Sequence, residues 1–269
     1  MDAHPDRQVD YRVEGPAARL TLNSPHNRNA LSTALIAQLH QGLRDAVAHP
    51  RVRMVVLGHT GGTFCAGADL TQASDEPAAD PETLAAQRGR EMAALLRALL
   101  ESPLPVIGAI DGHVRAGGMG LVGACDMVVA GPKCTFALTE ARIGVAPAII
   151  SLVLLPKMTP RGAGRYFLTG ETFTAPTAVE LGMVTIAAKD VETELSCLVE
   201  ALAKGSPQGL AASKRLTTAP ILADFDRAAE RLTQESARLF ISAEAREGML
   251  AFLQKRPPEW SESATEVSD

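Results

Sequence analysis

The sequence predicts an α/β fold: an α/β core over residues 1–190 followed by a helical region over residues 191–269. Three observations carry this. Alternating and β-branched apolar runs interleave with segments of helical period up to about residue 190. From Val191 onward apolar residues recur at helical spacing alone. Two glycine-rich stretches, GHTGGTFCAGADL and IDGHVRAGGMG, each follow an apolar run that reads as a buried strand.

Residues 9–13 and 17–22 alternate apolar and polar around Gly15-Pro16, which predicts a β-hairpin. After the turn-rich NSPHNRNA, Ser32 suits an N-cap, and Leu35, Leu39, Leu43 and Val47 mark a helix running to His49-Pro50. Residues 52–57 form the next strand. The acidic, Ala/Pro/Ser-rich stretch 71–81 is expected to be a mobile loop before a helix over 82–100. Residues 105–110 are a strand, 119–125 a short helix and 126–130 a strand again. Short helices are expected at 149–158, 161–168 and 175–181, and a last strand at 184–187. Helices then cover 194–204, 209–217, 225–240 and 243–254, and the tail after Pro258 should fray.

A net charge of −5 gives no electrostatic reason to expect nucleic acid or an anionic membrane as partner. The N-terminal MDAHPDRQVD carries no apolar leader core, and no apolar run approaches the ~18–20 residues of a membrane span. A soluble, cytoplasmic protein is expected. Cys65, Cys125, Cys134 and Cys197 are scattered without metal-ligand spacing, so they read as buried free thiols and no metal site is expected. The six histidines read as solvated or structural. Gly118-Met119-Gly120-Leu121-Val122-Gly123 matches a dinucleotide fingerprint in letters, but that fingerprint needs its first glycine directly after a strand and a full helix after its third. Neither condition holds here.

What remains is two glycine-rich loops and one carboxylate, Glu140, set among apolar neighbours. Two backbone N–H groups converging from separate loops make an oxyanion hole. A desolvated carboxyl is raised toward the pKa that a general acid/base needs near neutrality. The residues thus suit carbonyl activation with proton movement beside it. They equally suit tight turns with Glu140 on the surface.

Five stretches in order, LTLNSPHNRNALS, GGTFCAGADL, PVIGAIDGHVRAGGMGLVGACDMVVA, TFALTEARIGVAP and EGMLAFLQKRPPEW, resemble the crotonase (enoyl-CoA hydratase/isomerase) superfamily across residues 20–260 or so. The resemblance implies a spiral of ββα units with a C-terminal helical trimerisation region, assembled as a homotrimer or a dimer of trimers. It implies a coenzyme A thioester as substrate and no metal or redox cofactor. By motif, Ala68 and Gly117 would give the oxyanion-hole N–H groups, in loops that also include Ala66, Gly67, Asp69 and Gly118. Asn29 and Ala30 would lie along the CoA adenine pocket, with Arg28 near a phosphate, and the Lys255 region would reach a neighbouring subunit's CoA. Asp69 would steady the oxyanion loop by accepting backbone N–H groups, and Asp126 would fix a strand start. Arg115 suits either a structural ion pair or the reading of a second acid group on the substrate.

One departure matters. Hydratases of this family carry two glutamates, and the first of those positions is Gly120 here, leaving Glu140 alone. Hydration of a 2-enoyl-CoA is the expected activity. Δ3,Δ2-enoyl-CoA isomerisation is the alternative within the family, and a non-catalytic acyl-CoA-binding protein the alternative outside it.

Overall fold

The structure, a computed structural model, describes residues 7–69 and 80–262. The chain opens with β1 (Val9–Glu14), β2 (Ala17–Leu22) and α1 (Thr33–Ala48), then β3 (Met54–His59), β4 (Thr63–Cys65) and α2 (Pro81–Glu101). Next come β5 (Val106–Ile110), β6 (His113–Arg115), α3 (Gly117–Ala124), β7 (Met127–Ala130) and β8 (Thr135–Ala137). A 3-10 turn, Glu140–Ile143, leads to α4 (Ala148–Leu154), α5 (Pro160–Thr169), β9 (Phe173–Thr174), α6 (Ala175–Glu180) and β10 (Ile186–Ala187). Four helices finish it: α7 (Val191–Ala203), α8 (Pro207–Phe240), α9 (Ala243–Gln254) and α10 (Glu259–Glu262).

The strands from β3 to β8 come in pairs that split between two sheets. The first of each pair joins a six-stranded sheet of order β1-β2-β3-β5-β7-β10, and the second joins a four-stranded sheet of order β4-β6-β8-β9. Only the β1–β2 and β8–β9 pairings are antiparallel among the described strands. A helix returns the chain after β4 and again after β6, so the repeating unit is strand, strand, helix. This is the expected crotonase spiral.

The central strands are apolar on both faces because both faces are covered. Val55 and Leu57 of β3 point into the main core with α1, α2 and α3, whereas Met54 and Val56 pack with Ile107, Ala109 and Leu195 under α7. Ser32 caps α1 as expected, accepting from the Leu35 N–H at 3.0 Å. Val47, counted on the buried stripe of that helix, is exposed, and Ile36 and Ala46 take the buried places beside the leucines. Ile221 and Phe225 of α8 belong to the main core. Among the described residues no helix is long and apolar enough to cross a membrane.

Other expectations of the fold fail as well. The break between 217 and 225 is absent, and one helix runs from Pro207 to Phe240 through Pro220. Proline removes one ladder hydrogen bond, but Pro220 faces solvent while Thr218, Ile221 and Phe225 are buried, so packing holds the helix across it. Cys197 is exposed on α7, whereas Cys65, Cys125 and Cys134 are buried thiols. The tail does not fray at once: the Glu259 N–H donates to Glu247 Oε1 at 3.1 Å and residues 259–262 turn as a helix. Helix α4 ends at Leu154 rather than at residue 158. Most of the expected loop over 71–81 lies outside the described residues, and Pro81 already begins α2, capped by Asp80.

Candidate active site

The loop after β4 and the start of α3 meet. Gly67 is buried with φ +95°, a conformation that a side chain would strain. A Cβ there would sit 2.9 Å from Ala116 Cβ and 3.2 Å from Gly117 N, so the missing side chain is what lets the loops touch. A Cβ on Gly117 would in turn lie 3.7 Å from Ala68 N. Hydrogen bonds fix the rest: Leu31 N–H donates to Gly67 O at 2.8 Å and Asp69 N–H to Leu31 O at 3.3 Å. These bonds flank Ala68 and leave its own N–H without an acceptor among the described residues. Gly117 is the first residue of α3, so its N–H has no intrahelical partner either. Two free donors, from separate loops, thus stand side by side. Ala116 holds the junction at φ 45° and ψ −121°, uncommon for a residue with a side chain, while its N–H is anchored on Ala137 O at 3.2 Å.

Glu140 begins the 3-10 turn after β8 and is 8% exposed. Its Oε2 is buried with no hydrogen-bond partner, and burial pushes its carboxyl up to about 7. The turn closes on Gly144 at φ +75° and is buttressed by α9: a Cβ on Gly144 would meet the Glu244 backbone at 2.6 Å, and one on Gly248 the Ile143 backbone at 2.6 Å. Backbone therefore rests on backbone behind Glu140. Gly120 lies buried in α3, where a Cβ would come within 2.6 Å of Ile150 Cγ2 and 2.9 Å of Met92 Cε. Two apolar side chains fill the space beside Gly120, the position where the resemblance leads one to look for a second carboxylate. Sequence patterning missed Met92 and Ile150 in this role because each reads as ordinary core on its own helix.

A sequence model described as Enoyl-CoA hydratase/isomerase matches residues 13–263. The chain belongs to that family. A crystal structure described as an enoyl-CoA hydratase from Mycobacterium avium aligns with a TM-score of 0.89 at 65% identity, covering 97% of this chain and all (100%) of that one. Mycobacterium tuberculosis "Enoyl-CoA hydratase EchA19" is 31% identical over 261 residues, covering 96% of this chain and 97% of the relative. Escherichia coli "2,3-dehydroadipyl-CoA hydratase" is 30% identical over 244 residues, covering 90% and 93% respectively.

The remaining residues singled out from the sequence of this enoyl-CoA hydratase/isomerase family member fall into two groups, with Lys255 apart from both. Ala66, Gly67, Asp69 and Gly118 surround the two free donors: Ala66 N–H binds Arg28 O at 3.1 Å, Gly118 packs on Cys65, and Asp69 accepts from the Asn27 amide at 3.3 Å. Arg28, Asn29 and Ala30 precede the same junction. Arg28 is exposed, Ala30 is buried, and Asn29 is fully buried, accepting from Ser24 N–H at 2.7 Å and donating to Thr60 O and Thr63 O at 3.1 and 2.8 Å. The Asn29 side chain thus ties the 24–29 loop to the loop before β4. Lys255 is exposed at the C-cap of α9, away from this cluster along the chain.

Asp126, just before β7, fixes the start of the neighbouring β5, accepting from Val106 N–H at 2.7 Å. The structural ion pair expected of Arg115 is absent among the described residues: its guanidinium donates to Thr135 O at 2.6 Å and Thr135 Oγ1 at 2.8 Å, tying β6 to β8. The carbonyl and hydroxyl satisfy donors that a carboxylate would otherwise take. A polar cleft of about 520 Å³, lined in part by Arg19, His59, Lys133 and Glu192, shares no residue with this cluster.

Proposed function

We propose that the protein adds water across the double bond of a 2-enoyl-CoA thioester. The observation that carries this reading is Glu140, a buried carboxyl with pKa about 7 in a fold that also presents the free N–H groups of Ala68 and Gly117. The two N–H groups would hold the thioester oxygen as negative charge gathers on it. Ionised Glu140 would take a proton from water as its oxygen bonds to C3, and the resulting carboxylic acid would return that proton to C2 of the enolate. A carboxyl near its midpoint at neutral pH serves both halves of that cycle. The names of the relatives support the same reaction class. Arg28 would meet a CoA phosphate and the 29–30 backbone would line the adenine pocket, as the family resemblance implies. Coenzyme A enters as part of the substrate, and no resident cofactor or metal is required.

Gly120 favours a second reading. With Ile150 and Met92 in the place of a carboxylate, that wall cannot hold a water, and one glutamate suffices to carry a proton from C2 to C4 of a 3-enoyl-CoA. Crotonyl-CoA and 3-hexenoyl-CoA separate the two. Loss of the conjugated enoyl-thioester absorbance with crotonyl-CoA, abolished in Glu140→Ala, is the expected result. Growth of that absorbance from 3-hexenoyl-CoA without hydration would make the enzyme an isomerase. Acyl-CoA binding with no turnover of either, unchanged in Glu140→Ala, would leave a binding protein. We further propose a cytoplasmic homotrimer or dimer of trimers, in which residues 191–269 form the assembly region and Lys255 approaches a neighbouring copy. Exposed Phe252, Leu253 and Trp260 support that surface, and light scattering tests it.

A further inference from the structure

Helix α3 is short, and its far end matters for that reason. Its eight residues span about 12 Å, with the free N–H of Gly117 at one end and the carbonyls that end in Cys125 at the other. The partial positive charge of a helix N-terminus is opposed by an equal negative one at its C-terminus. In a long helix the negative end is remote. In this one it lies close enough to cancel much of what an anion at Gly117 would feel.

The C-terminal end is occupied by a cation. Lys157 Nζ donates to Cys125 O at 2.5 Å, and the lysine backbone is fixed by its N–H on Leu154 O at 3.0 Å. The ionisable groups around it are Cys125, Asp126 and Lys214. Asp126 is matched by Lys214, whose Nζ lies 2.7 Å from its Oδ2 and also donates to Leu99 O and Leu104 O at 2.8 and 3.0 Å. The Cys125 thiol, which burial raises to about 12, is neutral at physiological pH and donates to Leu121 O. Burial lowers the pKa of both lysines; with both protonated, two lysines and one carboxylate leave one positive charge in excess.

We propose that Lys157 is a positioning residue for the oxyanion hole: its ammonium neutralises the C-terminal end of α3 and so strengthens the attraction of Gly117, at the other end, for a negative thioester oxygen. The proposal rests on the oxyanion-hole reading of Ala68 and Gly117. Lys157 needs no contact with substrate, since it acts along the helix.

The test uses 4-(dimethylamino)cinnamoyl-CoA, an enoyl thioester whose absorption moves to the red as its carbonyl oxygen is stabilised. The shift on binding is compared in the wild type, Lys157→Arg and Lys157→Gln, alongside Tm and turnover of crotonyl-CoA. The glutamine keeps a donor for Cys125 O and removes the charge, which separates the two effects should Lys157→Met not fold. Lys157→Arg is expected to keep the red shift. Lys157→Gln is expected to lose a large part of it and about fivefold in kcat, the size of one charge acting over α3 and a hydrogen bond at each end, at an effective dielectric near 20, with KM changed less than threefold. A full red shift and unchanged kcat in Lys157→Gln, with Tm lowered, would show a structural anchor and overturn the proposal. A wild type that binds the probe without any red shift would overturn the oxyanion-hole reading itself, and the proposal with it.

Discussion

Glu140 is held by burial close to its titration midpoint at neutral pH, and that has a cost that stability measurements can read. Its folded pKa of about 7 lies above the ordinary 4.5, so the native state prefers the protonated form. Below pH 4.5 both states carry the proton and nothing is lost. As pH rises through the window from 4.5 to 7 the unfolded chain ionises first, and native stability falls by roughly 3 kcal/mol. Glu140→Gln should therefore unfold later than the wild type in denaturant at pH 8 and at the same midpoint at pH 4; equal midpoints at pH 8 would mean that the carboxyl is not desolvated. Activity should rise with an apparent pKa near 7 as the carboxylate forms. The apolar flanks of Glu140 were legible in the sequence. The partnerless Oε2 was not, because the α9 backbone behind the turn comes from residues far along the chain.

At the level of elements, α3 meets α4 and α2 through Gly120, and the fit leaves no room. Gly120→Ala should cost ~1–3 kcal/mol, since the new methyl would press on the branched Ile150 Cγ2 rather than on a flexible chain end alone. Ile150→Ala should cost ~2–5 kcal/mol as a cavity. The double substitution should cost clearly less than the sum, because each change relieves the other, and thermal unfolding of the four proteins would measure the coupling. Simple additivity would mean that the two positions do not touch. Element types and order were readable from apolar period and turn residues, since these are local. The break expected between 217 and 225 fails for the opposite reason: the local preference of Pro220 for a break is overridden by Ile221 and Phe225, whose burial depends on helices elsewhere in the chain.

Across the whole molecule, Lys214 bolts α8 to the end of α2 and to the starts of β5 and β7 in the large sheet. Its ammonium is buried and reaches Asp126 together with the carbonyls of Leu99 and Leu104, at the end of α2 and just before β5. Lys214→Met would keep the volume and strand Asp126, so a loss of ~3–5 kcal/mol is expected in equilibrium unfolding. A loss under 1 kcal/mol would show that water replaces the ammonium. In the sequence this lysine sits in AASKRL, where it reads as a solvated helix face, and no local pattern distinguishes it from Arg215 beside it. The meeting of the Gly67 loop with the start of α3 was likewise beyond local patterning, since the two lie some fifty residues apart in the chain. The contact of Gly144 and Gly248 with each other's elements bears on how the protein is made. The turn bearing Glu140 leaves the ribosome long before α9, and the spiral can close without it. A nascent chain would then hold the Glu140 turn unbraced until α9 has been translated.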